Sequence, residues 1–255
     1  MKFLVNADDF GKSSDFNAGV RESFKKGIIN RTTIMVNMPD SEEARDIAFS
    51  EGFADRVGLH LNFVEGRALS KECRKSELCD VDGFFKGEFY KGLKGRFFLD
   101  RKTQLAIKKE CEAQVKKYID MGFTLMHADS HNYTHTYWSV AKNVRGILKK
   151  YKFTSVRISH NIPPENISFP FKIYKYLINN FVFNWRVDGK EVYKTKYFGS
   201  LEDYLQFSEK RKLKGYLEIM VHTRMNENGI IDDVEIEGTK PMPRKEWFEE
   251  KRIKF

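Results

Sequence analysis

Two adjacent carboxylates, Asp8 and Asp9, end an apolar stretch that begins at Lys2 and stand just before Gly11. Like charges side by side are costly unless they are solvated, paired or bound to a cation. The histidines are spaced to supply a cation site. His60 stands late in one β-rich stretch, Asp129 and His131 just past another, and His222 at the end of a third. One carboxylate and two imidazoles form a facial site for one divalent ion, with positions left open for water and substrate. Zinc, magnesium, manganese or cobalt all suit such donors. One acid of the pair then holds the ion and the other stays free as a base toward water. His222, on a separate strand, is placed to act as an acid toward a leaving group.

Other polar residues gather at the same ends. His135 follows His131 by four positions, the spacing of a ligand pair if the stretch is helical and of a substrate contact or structural group if it is a loop. Asp129 suits the role of orienting a histidine. Asp129, His135 and Arg157 are also candidates for touching substrate. His127 alternates with Asp129 and reads as a core histidine, and His160 as a loop histidine.

These residues are far apart in sequence, so the fold must gather them. Lys2–Ala7 reads as a buried strand, and Ser13 or Ser14 opens a helix that Gly27 ends. Thr32–Asn37 reads as a strand, Ser41–Ser50 as a helix and Arg56–Phe63 as a strand carrying His60. Asp100 caps a long helix to Met121, apolar at Leu105, Ile107, Cys111, Val115, Tyr118 and Ile119. Phe123–Ala128 is a strand, Tyr137–Lys150 a helix and Phe153–Ile158 a strand. Phe171–Trp185 reads as helical and buried, Val192–Phe198 as a strand, Ser200–Leu213 as a helix and Gly215–Val221 as a final strand. Met225–Gly238 reads as loop and Pro243–Lys254 as a closing helix. Such alternation predicts an α/β fold with parallel strands and crossover helices, which present their strand ends on one face. Residues 64–99, with five glycines and an aromatic cluster, break the rhythm and read as an insert over the rim of a single domain.

The 255 residues can bury a sizeable core. No apolar run reaches the ~18 residues of a membrane span, and the first residues turn acidic too soon for a signal peptide. Three cysteines without metal spacing point to a reducing cytoplasm. The net charge of +9 comes without a nucleic-acid motif, so it reads as solvated surface that favours anionic partners mildly. A homodimer is the base-rate assembly.

Asn6-Ala7-Asp8-Asp9-Phe10-Gly11, Gly58-Leu59-His60-Leu61-Asn62, Asp129-Ser130-His131 with His135, and Glu218-Ile219-Met220-Val221-His222 resemble, in order, the YdjC-like (ChbG-type) carbohydrate deacetylases. The resemblance implies a distorted (β/α) barrel and hydrolysis of an N-acetyl group from an amino sugar or short, chitooligosaccharide-like glycan. It implies that Asp9, His60 and His131 hold the metal, that Asp8 is the base and that His222 protonates the departing amine. Thr223 stands where family members often carry proline, and residues 64–99 and 161–198 carry no likeness. Two rival readings share the scaffold: another metal-dependent hydrolase, phosphoesterase or amidase, and a non-catalytic sugar-binding protein. Retention of Asp8, Asp9, His60, His131 and His222 together argues against the second.

Overall fold

The computed structural model describes residues 2–87, 92–162, 168–208, 214–227, 229–234 and 238–241. Seven parallel strands form its centre: β1 (Lys2–Phe10), β2 (Arg31–Ile34), β3 (Val57–Leu61), β4 (His127–Ser130), β5 (Ser155–Val156), β8 (Tyr197–Ser200) and β9 (Tyr216–Val221). Their order across the sheet is β5-β4-β3-β2-β1-β9-β8. The sheet curls into a half-barrel, and its edges meet where Ser155 bridges Tyr193, four residues before β8. This is the parallel α/β fold that the alternation predicts, curled as the resemblance to a distorted (β/α) barrel implies.

Side chains alternate across a strand. Val5, Ala7, Leu59, Leu61, Ala128, Leu217, Ile219 and Val221 are fully buried on the outer face. There they meet α1 (Ser14–Lys25), α2 (Ser41–Ser50), α5 (Arg101–Asp120) and α6 (Trp138–Lys150), whose Val20, Ala44, Ile107, Cys111, Val115 and Val144 are equally buried. The intervening positions, Asn6, Asp8, His60, Asp129, Arg157 and Glu218, face inward. A sheet covered outside by helices and filled inside by polar groups needs near-continuous burial along each strand, as observed.

Several expectations shift. Strands β2 to β5 are shorter than their apolar stretches. Leu105 of α5 is exposed, and the buried stripe runs through Ala106, Glu110 and Gln114 instead. Glu110 and Gln114 accept from or donate to the backbone of Asn62, Leu69 and Ser70, so α5 anchors the start of the insert. That insert holds two short helices, α3 (Lys71–Arg74) and α4 (Leu93–Phe97), and joins the core through Cys73, Leu78, Cys79 and Phe85. The expected burial of Phe171–Trp185 holds for its second half, where a π-helical turn at Ile178–Val182 leads to buried Phe183 and Trp185, but the helix α7 (Phe169–Leu177) before it has no buried residue, with Phe169, Ile173 and Tyr176 outward. Met225–Gly238 is not loop: β10 (Thr223–Asn226), β11 (Gly229–Val234) and β12 (Gly238–Pro241) form an antiparallel sheet. The short hairpin β6 (Arg186–Val187) and β7 (Lys190–Glu191) and the helix α8 (Leu201–Ser208) complete the elements. The end expected for that last helix, the helix expected at Pro243–Lys254, and Phe89 and Tyr90 lie outside the described residues.

Strand β10 lies against α1 at Gly19. A Cβ there would stand 2.5 Å from Thr223 O and 2.7 Å from the Arg224 backbone. In an open helix, Gly→Ala stabilises by roughly 0.5–1 kcal/mol. Here Gly19→Ala is expected to lower stability, and urea denaturation of the two proteins reads the sign directly.

Candidate active site

Asp8 and Asp9 are neighbours in a strand, yet both carboxylates reach the inner face. The register of β1 against β2 slips between Ala7 and Phe10, and Asp9 takes a left-handed φ of 64°. Aspartate tolerates that region better than most residues, and strained positions of this kind cluster at functional sites. The bulge turns Asp9 inward beside Asp8.

Asp9 Oδ1 is the meeting point of two imidazoles. His131 Nδ1 lies 2.8 Å from it and His60 Nε2 3.2 Å. All three residues are at most 6% exposed. Two donors bound at about 2.1 Å and near right angles stand about 3.0 Å apart, so the three residues could hold a metal ion, and without one the same gaps are hydrogen-bond distances. Burial opposes the charge on Asp9, but His131 and His60 outweigh it and hold its carboxyl well below the usual range. Burial likewise works against a proton on His60, but Asp129 and Asp9 hold it there and raise its pKa to about 10. Asp129 Oδ1 is 2.7 Å from His60 Nδ1, which fixes the ring and aims Nε2 at Asp9.

Asp8 sits in a different set of contacts. Arg157 Nη1 donates to its Oδ2 at 2.6 Å and Nη2 to its Oδ1 at 2.7 Å, and Asn6 Nδ2 also donates to Oδ1. The same guanidinium reaches Asp129 Oδ2 at 2.7 Å and Glu218 Oε1 at 2.6 Å. Arg31 adds a second cation on Glu218 at 2.7 Å. Burial works against the Arg157 charge, but Asp129, Asp8 and Glu218 raise its pKa well above the ordinary value. Four acids, Asp8, Asp9, Asp129 and Glu218, meet Arg157, Arg31 and, at 3.5 Å from Asp9, Lys12, so acids outnumber the lysine and arginine cations and the histidines or a divalent cation can offset the difference.

His222 follows Val221, which is level with Ala7 in the β1–β9 register, so it stands beside Asp8 at the strand ends. It is half-buried, and its N–H donates to Asp232 Oδ1 of β11 at 2.7 Å.

The direct substrate contacts expected of Asp129, His135 and Arg157 do not fit their surroundings. Each is at most 1% exposed, and their polar atoms are engaged within the protein. His135 Nε2–H donates to Arg157 O at 3.0 Å and Nδ1 accepts from Ser130 Oγ at 2.6 Å, while burial pulls its pKa down to about 4. It is neither paired with His131 nor open to a ligand. His127 is buried and held neutral by burial, as a core histidine should be. His160 pairs with Asp203 at 2.7 Å.

Three features were not read from the sequence. Glu218 was noted only as part of a motif, and it neutralises Arg157 and Arg31. Glu65 of the insert places Oε1 3.2 Å from His131 Nε2, and Lys12 Nζ lies 3.0 Å from that oxygen and 3.5 Å from Asp9 Oδ2. Beside the site lies a cavity of about 250 Å³ whose walls include Phe97, Tyr133, Tyr137, Tyr174, Arg96 and Lys175. Left-handed Asn132 and Tyr133, at φ 52° and 54°, turn the Tyr133 ring toward it two residues after His131.

The family model of YdjC-like protein matches residues 2–251. A carbohydrate deacetylase of Thermoanaerobacter pseudethanolicus is 31% identical over 250 residues, 96% of this chain and 90% of that protein. Another, of Halalkalibacterium halodurans, is 29% identical over 226 residues, 87% of this chain and 84% of its own. A solved structure from Enterococcus faecalis V583, provisionally described as a cellobiose-phosphate cleavage protein, has a TM-score of 0.69 at 20% identity. It covers 89% of this chain and 82% of that one, a likeness of fold. By strand order, by the residues gathered at the strand ends and by a match over nearly its whole length, the chain belongs to the YdjC-like family.

Proposed function

We propose that the protein is a metal-dependent hydrolase that removes the acetyl group from an N-acetylated amino sugar or short glycan. The observation that carries this reading is the convergence of His60 and His131 on one oxygen of Asp9 at metal-ligand spacing, with Asp8 beside them. Relatives named carbohydrate deacetylase supply the substrate class.

Asp9, His60 and His131 would hold one divalent ion, with zinc or magnesium the first choices and manganese or cobalt the next. When bound, the ion supplies Lewis-acid polarisation of the acetamide carbonyl. Asp8 accepts the proton of the attacking water. Its Oδ1 already takes two hydrogen bonds and its Oδ2 one, so Oδ2 is the atom with a lone pair to spare. Arg157 and Asn6 fix the carboxylate while it does so. His222 gives a proton to the amine nitrogen as the C–N bond breaks, leaving acetate and the free amino sugar. The Arg157 guanidinium fills the space among Asp8, Asp129 and Glu218, where a second ion of a two-metal phosphoesterase would have to sit. The aromatic cavity is placed to take the next sugar ring, because aromatic faces pack well on apolar sugar faces.

Acetate release from N-acetylglucosamine oligomers tests the reading. Asp8→Asn is expected to lower kcat by about 10²–10⁴ with the fold intact. Equal rates for the two proteins would remove Asp8 from the role of base, and no release from any amino sugar would overturn the substrate class.

Chelation is expected to abolish turnover, and added divalent ion to restore it. In the ion-free protein, the pKa of His60 is raised from 6.5 to about 10. The stability it contributes is therefore complete below pH 6.5 and is lost as pH rises through about 10. Urea unfolding across that window is expected to show the decline in wild type and its absence in His60→Gln.

Tyr174→Ala is expected to raise KM for a trimer or tetramer several-fold while leaving the monomer little changed. Equal effects on both would place the second ring elsewhere.

A further inference from the structure

Glu65 stands to His131 as Asp129 stands to His60. His60 has one ring nitrogen 3.2 Å from Asp9 and the other 2.7 Å from Asp129. His131 has Nδ1 2.8 Å from Asp9 and Nε2 3.2 Å from Glu65 Oε1. Asp129 is fully buried on β4, whereas the Glu65 side chain is 33% exposed on the insert. Its Oε1 is nevertheless buried, with Lys12 Nζ at 3.0 Å as a charged partner and His131 Nε2 beside it.

The loop that delivers Glu65 is tightly held. Asn62 Oδ1 accepts from the N–H groups of Val64 and Glu65 at 3.0 and 3.2 Å. Glu65 O accepts from Asn62 Nδ2 at 2.8 Å and from Asn37 Nδ2 at 3.0 Å. Gly66 follows at φ 72°, where a Cβ would stand 2.6 Å from Met38 Sδ. From the other side, Gln114 and Glu110 of α5 bind Asn62, Leu69 and Ser70. Lys12 then ties Glu65 to Asp9 across the mouth. So many bonds on one short reversal fix where the Glu65 side chain starts, and a fixed start matters for a group that must meet a histidine.

We propose that Glu65 is a positioning residue for His131. His131 Nδ1 donates to Asp9 Oδ1 here; with an ion at Asp9 in place of that proton, Glu65 would accept from Nε2–H and keep the ring turned with Nδ1 toward the ion. Lys12 holds Glu65 in place. This rests on the metal-centre reading above, and it assigns to the insert a part in the centre's affinity besides covering the rim. Groups that orient a ligating histidine in this way set metal affinity by 10–100-fold.

The test is titration of zinc into the whole protein against a chromophoric chelator, with the His131 ring signals read by nitrogen–proton correlation spectra of the ion-free and zinc-loaded protein. Glu65→Ala is expected to weaken zinc binding by about 10–100-fold and to shift the His131 Nε2 signals. Glu65→Gln, whose amide oxygen can accept the same proton, is expected to recover part of both, and Lys12→Met to give a smaller loss than Glu65→Ala. Zinc affinity within twofold of wild type in Glu65→Ala, or unchanged His131 Nε2 signals, overturns the proposal. Wild type that binds no zinc while Glu65→Ala still shifts the His131 Nε2 signals overturns the metal-centre reading and keeps the positioning role. Circular dichroism of each variant separates these results from unfolding.

Discussion

One guanidinium holds the inner face of the barrel together. Arg157 directly follows β5, the strand at one edge of the sheet, and its partners come from β1, β4 and β9. Three carboxylates could not share so small and dry a space without it, because each would drive its neighbours to take up protons. With Arg157 in place the carboxylates of Asp8 and Asp129 lie side by side on one cation, and Asp129 also steadies His60. The ion pairs also cross from β5 to β1 and β9, so the force that tunes the carboxylates is the force that draws the curled sheet around them.

Much of this was legible because period-two alternation is strict. Asn6 and Asp8, His60, Asp129 and His131, and Glu218 and His222 each fall on even steps of their strands, and one inward face follows once the strands are parallel. The bulge at Asp9 was not legible, since nothing in Ala7-Asp8-Asp9-Phe10 marks a slip of register. Arg157 was placed correctly in the chain and given the wrong company. A basic residue at a strand end looks free for a substrate until its acidic partners, distant in sequence, are known.

The other misreadings share a cause. Met225–Gly238 is polar and rich in glycine and acids, which suits loop as well as a three-stranded sheet. The close approach of β10 to Gly19 and the bond from His222 to Asp232 make the hairpin a fitted part of the fold. The aromatic density of Phe171–Trp185 suggested burial, and Ile178, Val182, Phe183 and Trp185 are buried, yet α7 presents Ile173 and Tyr176 to solvent while Tyr174 turns to the cavity. Composition reports how much apolar surface a segment owns and leaves open which neighbour receives it. The insert is the reverse case. Its irregular sequence hid a set of side-chain-to-backbone bonds centred on Asn62, which holds its first turn as firmly as any strand.

The left-handed backbone at Asp9 has a consequence for how this chain can change over time. Two independent demands fall on one position, a carboxylate for its chemistry and a residue that tolerates positive φ for its shape. A lineage that gave up the reaction would be released from the first demand and still bound by the second. Such descendants would keep asparagine or glycine at position 9 far more readily than alanine or valine. The backbone would then preserve a trace of the lost activity after its acid had gone.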